Sequence, residues 1–297
     1  MANIAIIAAI LAVLVFISIL AVRIAARPPR LKLPRDIKRI RAIEYGNAGG
    51  VSLKLDIVEP RTPATKPRPV IVWIHGGAWN SGDKEGGCAM IAPFAQRGYF
   101  CASINYRLSQ QAVFPAQIHD CKCAIRYLRA HAAEYNIDAG HIGVWGSSAG
   151  GHLAALLGTT ADVKELEGDG GWPGESSAVQ AVCDYCGPTD LLALDPNEHS
   201  TSVLAELLGA PPVKKKALAQ LANPITHITR DAAPFLIVHG DKDTVVPMEQ
   251  SVLLYDALKQ AGVPAALHIE RGAEHWLESP GITMLVNAFF DRYVGKC

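Results

Sequence analysis

The sequence has no excess of either charge: 28 Lys and Arg stand against 28 Asp and Glu over 297 residues. Without a basic surplus the chain lacks the electrostatic footprint of a nucleic-acid binder, and without an acidic surplus it lacks that of a solvating tail. Zinc-finger spacing is missing as well. The seven cysteines are odd in number and scattered through apolar runs. Cys121 and Cys123, two apart on a helix, point to different faces, and Cys183 and Cys186 have no second pair, so the pattern offers no metal site and no disulfide framework. Internal repeats and low-complexity blocks are absent too. What this composition leaves open is a neutral small molecule as partner. With 49% hydrophobic residues, the chain is apolar and long enough for one large α/β domain or two small ones.

A further absence concerns the N-terminus. No Lys or Arg precedes the apolar run from Ile4 to Val22, whose sole polar member is Ser18. At about 1.5 Å per residue such a run spans the roughly 30 Å hydrocarbon core of a bilayer as a hydrophobic helix. A poor A-x-A site and the missing basic lead favour an uncleaved membrane anchor over an export signal. The basic residues come afterwards, Arg23, Arg27, Arg30, Lys32 and Arg35 among them, and by the positive-inside rule they hold the downstream domain cytoplasmic; an exported enzyme is the alternative. Pro28, Pro29 and Pro34 stiffen this stretch. Residues 1–34 therefore read as apolar segment and linker, and 35–297 as the folded domain.

Within that domain the periodicity alternates between strand and helix. Leu53, Leu55 and Ile57 alternate with Ser52, Lys54 and Asp56, the pattern of a half-exposed strand near a sheet edge. Val70 to Ile74 and Phe100 to Ile104 are continuous apolar runs, as in strands buried on both faces. After Pro115, Ile118, Cys121, Ile125, Leu128 and Ala132 fall at helical spacing, with Asp120, Lys122, Arg126 and Arg129 opposite them. Further strands are expected over Ile142 to Trp145, from Ala178, over Phe235 to Val238 and over Ala265 to Ile269, with helices over Met248 to Ala261 and Ile282 to Tyr293. Residues 190–231 mix helical patches with Pro and Gly breaks, the composition of a small cap insertion. The expected class is α/β, a mostly parallel sheet with helices on both faces.

The chemistry concentrates at one corner. Gly146-Ser147-Ser148-Ala149-Gly150 stands between the Ile142–Trp145 run and a small-residue helix. A serine on a sharp strand-to-helix turn is a nucleophile elbow, and the flanking glycines supply room that side chains would occupy. In open α/β sheets ligands bind beyond the carboxyl ends of strands. Polar residues collect at such ends in His75-Gly76-Gly77, at Ser148, in Asp241 and Asp243, and at His275. A serine hydroxyl needs a base within reach, and the base an acid to fix its tautomer. The order serine, acid, histidine selects His275 as base after the last strand. Loop position does not separate Asp241 from Asp243, and Asp241 is also a candidate turn former. The backbone N–H of Ala149 and of Gly76 or Gly77 would hold an oxyanion. Trp79 and Trp276, beside these loops, are candidate pocket walls or core aromatics. His75 reads as a brace for its loop, His152 as a packing residue, and His239 as a partner of backbone.

Five ordered segments, His75-Gly-Gly-Ala-Trp79, Asn105-Tyr-Arg-Leu108, Trp145-Gly-Ser-Ser-Ala-Gly-Gly-His152, His239-Gly-Asp-Lys-Asp-Thr-Val-Val-Pro247 and Ala273-Glu-His-Trp276, together resemble the α/β-hydrolase superfamily. Within it the chain is similar to acetyl-esterase and lipase-like carboxylesterases related to hormone-sensitive lipase and bacterial feruloyl esterases, from about Tyr45 to the C-terminus. The resemblance implies a triad of Ser148, Asp243 and His275, an oxyanion hole of Gly76, Gly77 and Ala149, an acyl-enzyme intermediate and no cofactor. Two positions depart from the hormone-sensitive-lipase pattern: Ala78 stands where a third glycine is usual, and Ser147 where an acidic residue is usual. The expected function is hydrolysis of short-acyl or aryl esters. The competing readings are an arylformamidase-type amide hydrolase, a catalytically inactive membrane-tethered binding module, and a prolyl-oligopeptidase-type peptidase, which the lack of an N-terminal propeller-length domain disfavours.

Overall fold

The computed structural model describes residues 33–194 and 198–295. The hydrophobic helix expected over residues 4–22 lies outside them; among the described residues no helix is long and apolar enough to cross a membrane. The strands are β1 (Ile37–Ala48), β2 (Val51–Pro60), β3 (Arg68–Ile74), β4 (Phe100–Ile104), β5 (Ile137–Ser147), β6 (Ala181–Tyr185), β7 (Phe235–Gly240) and β8 (Ala265–Glu270). The helices are α1 (Lys84–Gln96), α2 (Ala116–Ala130), the single turn α3 (Ala132–Tyr135), α4 (Ala149–Thr159), α5 (Glu198–Leu208), α6 (Lys216–Ala222), α7 (Glu249–Gln260) and α8 (Pro280–Tyr293).

The strands form one sheet in the order β1-β2-β4-β3-β5-β6-β7-β8. β1 and β2 run antiparallel to their neighbours, and every pair from β4 to β8 is parallel. Parallel strands need helical crossovers, so both faces are covered and the strands read as unbroken apolar runs. Side chains still alternate. Val70, Val72, Ile74 and Val144 join the large core cluster with Ile118 of α2 and Leu153 of α4. Trp73 and Trp145 face the other way and pack edge to face at 4.8 Å, near Phe94 of α1, which meets Phe290 of α8.

Three expectations change. β2 lies near the sheet edge as expected, between β1 and β4, but its polar face is not open throughout: Asp56 is fully buried and paired with Arg39 of β1. The polar face of α2 is covered as well. Lys122 is fully buried, its Nζ donating at 2.5 Å to both the Thr160 carbonyl and Glu167 Oε1, while Arg126 Nη1 meets Glu167 Oε2 at 2.8 Å. The segment between α4 and β6 folds over α2 and supplies these acceptors, so tertiary contact overrides amphipathic pattern. The strand expected from Ala178 begins at Ala181 and runs to Tyr185.

Candidate active site

Ser148 caps the N-terminus of α4 with φ 56° and ψ −122°. A non-glycine residue in such a region costs on the order of 1–3 kcal/mol and persists only where its surroundings impose it. Here the Ser148 N–H donates to the Tyr185 carbonyl at 2.7 Å, and the Ser148 carbonyl accepts from the His152 N–H at 3.0 Å. The turn also needs its glycines. A Cβ on Gly146 would lie 2.1 Å from the Gly150 carbonyl oxygen, and one on Gly150 the same distance from the Ile74 carbonyl oxygen.

The loops after β7 and β8 bring an acid to a histidine. His275 Nδ1 lies 2.7 Å from Asp243 Oδ2, and the Asp243 side chain is fully buried. Since a carboxylate accepts, Nδ1 carries the proton and Nε2 is left as the basic nitrogen. The other carboxylate oxygen accepts from the Val245 and Val246 N–H groups at 2.8 and 3.0 Å. Burial alone would raise this carboxyl, but His239, His275 and the two amides hold it well below the usual carboxylate range. Asp241 has a different job: its Oδ1 accepts the Gly272 N–H at 2.6 Å and ties the β7 and β8 loops together. His239 bonds backbone as expected, with Nε2 2.9 Å from the Val246 carbonyl, but it also comes within 3.2 Å of Asp243 Oδ2 and is backed by Ser251 Oγ at 2.6 Å.

The loop after β3 runs beside the elbow. A Cβ on Gly76 would meet the Ser147 carbonyl oxygen at 2.7 Å and Ser148 Cβ at 3.3 Å. Gly77, Ala78 and Trp79 take φ values of 107°, 53° and 57° in succession, a left-handed run held from several sides. The Gly77 carbonyl accepts from the Asn80 and Ser81 N–H groups, and the Trp79 carbonyl from the Ser109 N–H. His75 stacks on Tyr106 at 4.3 Å and donates from Nδ1 to the Gly76 carbonyl at 2.8 Å. Ala149 is the first residue of α4, so its N–H has no partner within the helix. Gly76 and Ala149 thus flank Ser148 from two sides, and Gly77 lines the same cavity.

The two candidate wall tryptophans part company. Trp79 is 4% exposed, and its indole N–H donates to His152 Nδ1 at 3.2 Å while His152 Nε2 donates to the Ala222 carbonyl at 2.7 Å. Trp79 does not line the cavity; it locks the glycine loop to α4 and α6. Burial lowers His152 to about 4, against the pull of the Ala222 carbonyl, so it stays neutral. Trp276 is 83% exposed and stands at the mouth. Ser148, His275, Gly76, Gly77 and Trp276 line one cavity of about 1050 Å³.

Sequence reasoning weighed Cys186 only as a partner of Cys183 and missed its place beside Asp243 and His275. Its Sγ lies with the Asp243 and His275 ligand atoms in a cluster within 4.8 Å, and its thiol is directed to the His275 carbonyl at 3.6 Å. The set has poor chemistry for a cation. Burial pushes the thiol far above its usual range, and every oxygen of Asp243 is already engaged.

A mostly parallel sheet of this order with a strained serine between its central strand and the following helix is the architecture of the α/β-hydrolases. The BD-FAE family model matches residues 55–258, and the chain belongs to that family. The probable carboxylic ester hydrolase LipM of Mycobacterium tuberculosis is 33% identical over 81% of this chain and 56% of its own length. The chain thus spans about half the length of the curated relatives it matches. Among solved structures, a truncated carbohydrate esterase from gut microbiota is 34% identical with a TM-score of 0.80, covering 88% of this chain and 99% of its own. Esterase Est2 of Thermogutta terrifontis is 29% identical with a TM-score of 0.71, covering 89% and 95%.

Proposed function

We propose that the chain is a serine carboxylesterase that hydrolyses short-acyl or aryl carboxylic esters with Ser148 as nucleophile, His275 as base and Asp243 as orienting acid. The observation that carries this reading is the 2.7 Å contact between His275 Nδ1 and Asp243 Oδ2 in a cavity that also receives the strained Ser148. Ser148 Oγ attacks the ester carbonyl carbon as its proton passes to His275 Nε2. The carbonyl oxygen takes the negative charge beside the N–H groups of Ala149 and Gly76 or Gly77, each such donor contributing about 3 kcal/mol to the transition state. Collapse expels the alcohol, which takes the proton from His275. Water activated by the same nitrogen then attacks the acyl-enzyme, releasing the carboxylic acid and restoring Ser148. No cofactor enters these steps.

Trp276 and Val245 at the mouth, 83% and 50% exposed, favour apolar acyl or aryl groups. The names of the similar proteins, a carboxylic ester hydrolase and two esterases, support the reaction class. The test is release of p-nitrophenol from acetate and butyrate esters, extended to feruloyl and N-formyl substrates. Ser148→Ala is expected to abolish turnover; a variant with the wild-type rate sinks the assignment, and turnover of the N-formyl arm alone sinks the ester preference. Trp276→Ala is expected to raise KM for aryl esters a fewfold with kcat unchanged. The apolar run 4–22 adds a proposal of membrane attachment. Comparing the full chain with one starting at Arg35 in membrane fractionation tests it: only the full chain is expected to sediment with membranes, and equal partitioning contradicts it.

A further inference from the structure

Tyr185 closes β6 and is 4% exposed. Its ring packs edge to face on Trp145 at 5.3 Å, and its carbonyl holds the Ser148 N–H. Its hydroxyl is different. Among the described residues it has no hydrogen-bond partner, yet it is not one of the buried groups sealed from solvent without a partner. A phenol left without a partner costs about 1–3 kcal/mol, so a ligand oxygen that met this hydroxyl would be bound with gain. Little exposed as it is, Tyr185 lines the cavity that holds Ser148.

Tyr185 borders two spaces. One is the cavity containing Ser148 and His275; the other is an adjoining chamber of about 390 Å³ between α1 and α8. Met90 and Leu277 also border both, so the two spaces adjoin, and Phe94, Trp145 and Val286 make the chamber's far walls apolar. A small chamber with apolar walls and a few polar groups, Tyr185 among them, is the form of a ligand subsite.

We propose that this chamber receives one arm of the ester substrate and that Tyr185 is its specificity-determining residue, its hydroxyl bonding an ether or hydroxyl oxygen close to the ester. The inference rests on the ester hydrolysis proposed above. The arm is apolar in body, because Phe94, Trp145 and Val286 wall the chamber, and carries an oxygen near its root, because Tyr185 lies on the wall the chamber shares with the cavity of Ser148. A site that hydrogen-bonds a substrate oxygen discriminates against the methylene analogue more sharply than an apolar pocket does.

Two matched pairs of esters decide which arm is held: p-nitrophenyl methoxyacetate against butyrate varies the acyl side, and 2-methoxyethyl acetate against butyl acetate varies the alcohol side. The quantity read is the ratio of kcat/KM within each pair, wild type against Tyr185→Phe, which cancels the intrinsic reactivity of each ester. In one pair the ratio is expected to fall about fivefold on loss of the hydroxyl. Unchanged ratios in both pairs overturn the proposal. Calorimetric binding of the same esters to Ser148→Ala and to Ser148→Ala/Tyr185→Phe gives a readout without turnover. The affinity for an oxygen-bearing ester is expected to drop about fivefold relative to its partner, and equal drops within each pair overturn the proposal. Absence of turnover in the wild type, with the binding difference intact, would count against the hydrolysis and not against the subsite.

Discussion

Asp243, just past β7, and Asp184, on the adjacent β6, are both closed to water, yet their surroundings treat them in opposite ways. Asp243 has two histidines against one oxygen and two backbone N–H groups on the other. Asp184 has the Gly187 N–H on Oδ1 at 2.9 Å, and its Oδ2 is buried without a partner. Burial, the leading influence on both, prevails at Asp184 and raises it to about 6, against the Gly187 N–H and His239; at Asp243 the donors prevail. Burial alone therefore does not make a working anion. The number of donors does, and the site places them on the carboxylate that faces His275.

Asparagine at each position tests this contrast. The largest effect is expected at Asp243: Asp243→Asn cannot fix the His275 tautomer, and kcat/KM for p-nitrophenyl butyrate should fall by about 10⁴. A fall under tenfold would break the comparison, since Asp243 would then be one buried carboxylate among others. The second effect is on stability. Asp184 has a folded pKa above its unfolded value, so the folded state binds the proton more tightly and the wild type loses stability as pH rises from about 4 to about 6, by on the order of 3 kcal/mol. Asp184→Asn removes that loss, and its Tm should gain on the wild type by several degrees across this window and then stay level. Asp243, lowered, has the reverse sign: its stabilisation is present at neutral pH and is lost on acidification, so Asp243→Asn should melt below wild type at pH 7. Melting curves from pH 4 to 8 that shift the same way for both variants would contradict the account. The smallest effect is at the exposed Asp241, where an asparagine oxygen can still accept the Gly272 N–H. Asp241→Asn should change kcat/KM by less than about twofold, as a surface substitution away from the chemistry does.

Much of this could be read from the sequence because it is local. The elbow, β3 and β7 announce themselves by apolar runs ending in Gly, Ser, His and Asp, β4 by an apolar run alone, and chain order picks His275. What stayed hidden depends on contacts made far along the chain or on broken periodicity. β1 escapes notice because its pairing shifts register between Ile40 and Ile43 and again between Glu44 and Gly46, and because Ala42 takes φ 56°, so the period of two never accumulates. α1 is masked by Gly86, Gly87 and Pro93, residues that read as helix breakers; the informative signal was Asp83, whose side chain caps the helix by accepting the Glu85 N–H. Gly87 is there for packing, since a Cβ would lie 2.0 Å from the Trp73 ring. Trp79 could not be told from Trp276 by position beside a loop, because what separates them is His152, 73 residues away in the chain. Asp241 and Asp243, two residues apart, likewise receive different partners from the loop after β8, Gly272 for the first and His275 for the second.

The account stands or falls on Ser148 as the reacting atom's owner. Incubation with an active-site fluorophosphonate followed by peptide mapping measures this directly. One adduct on the peptide carrying Ser148 is expected in the wild type, none in Ser148→Ala, and strongly slowed labelling in His275→Ala. An unlabelled wild type, or a Ser148→Ala protein that labels at the same rate, would contradict it.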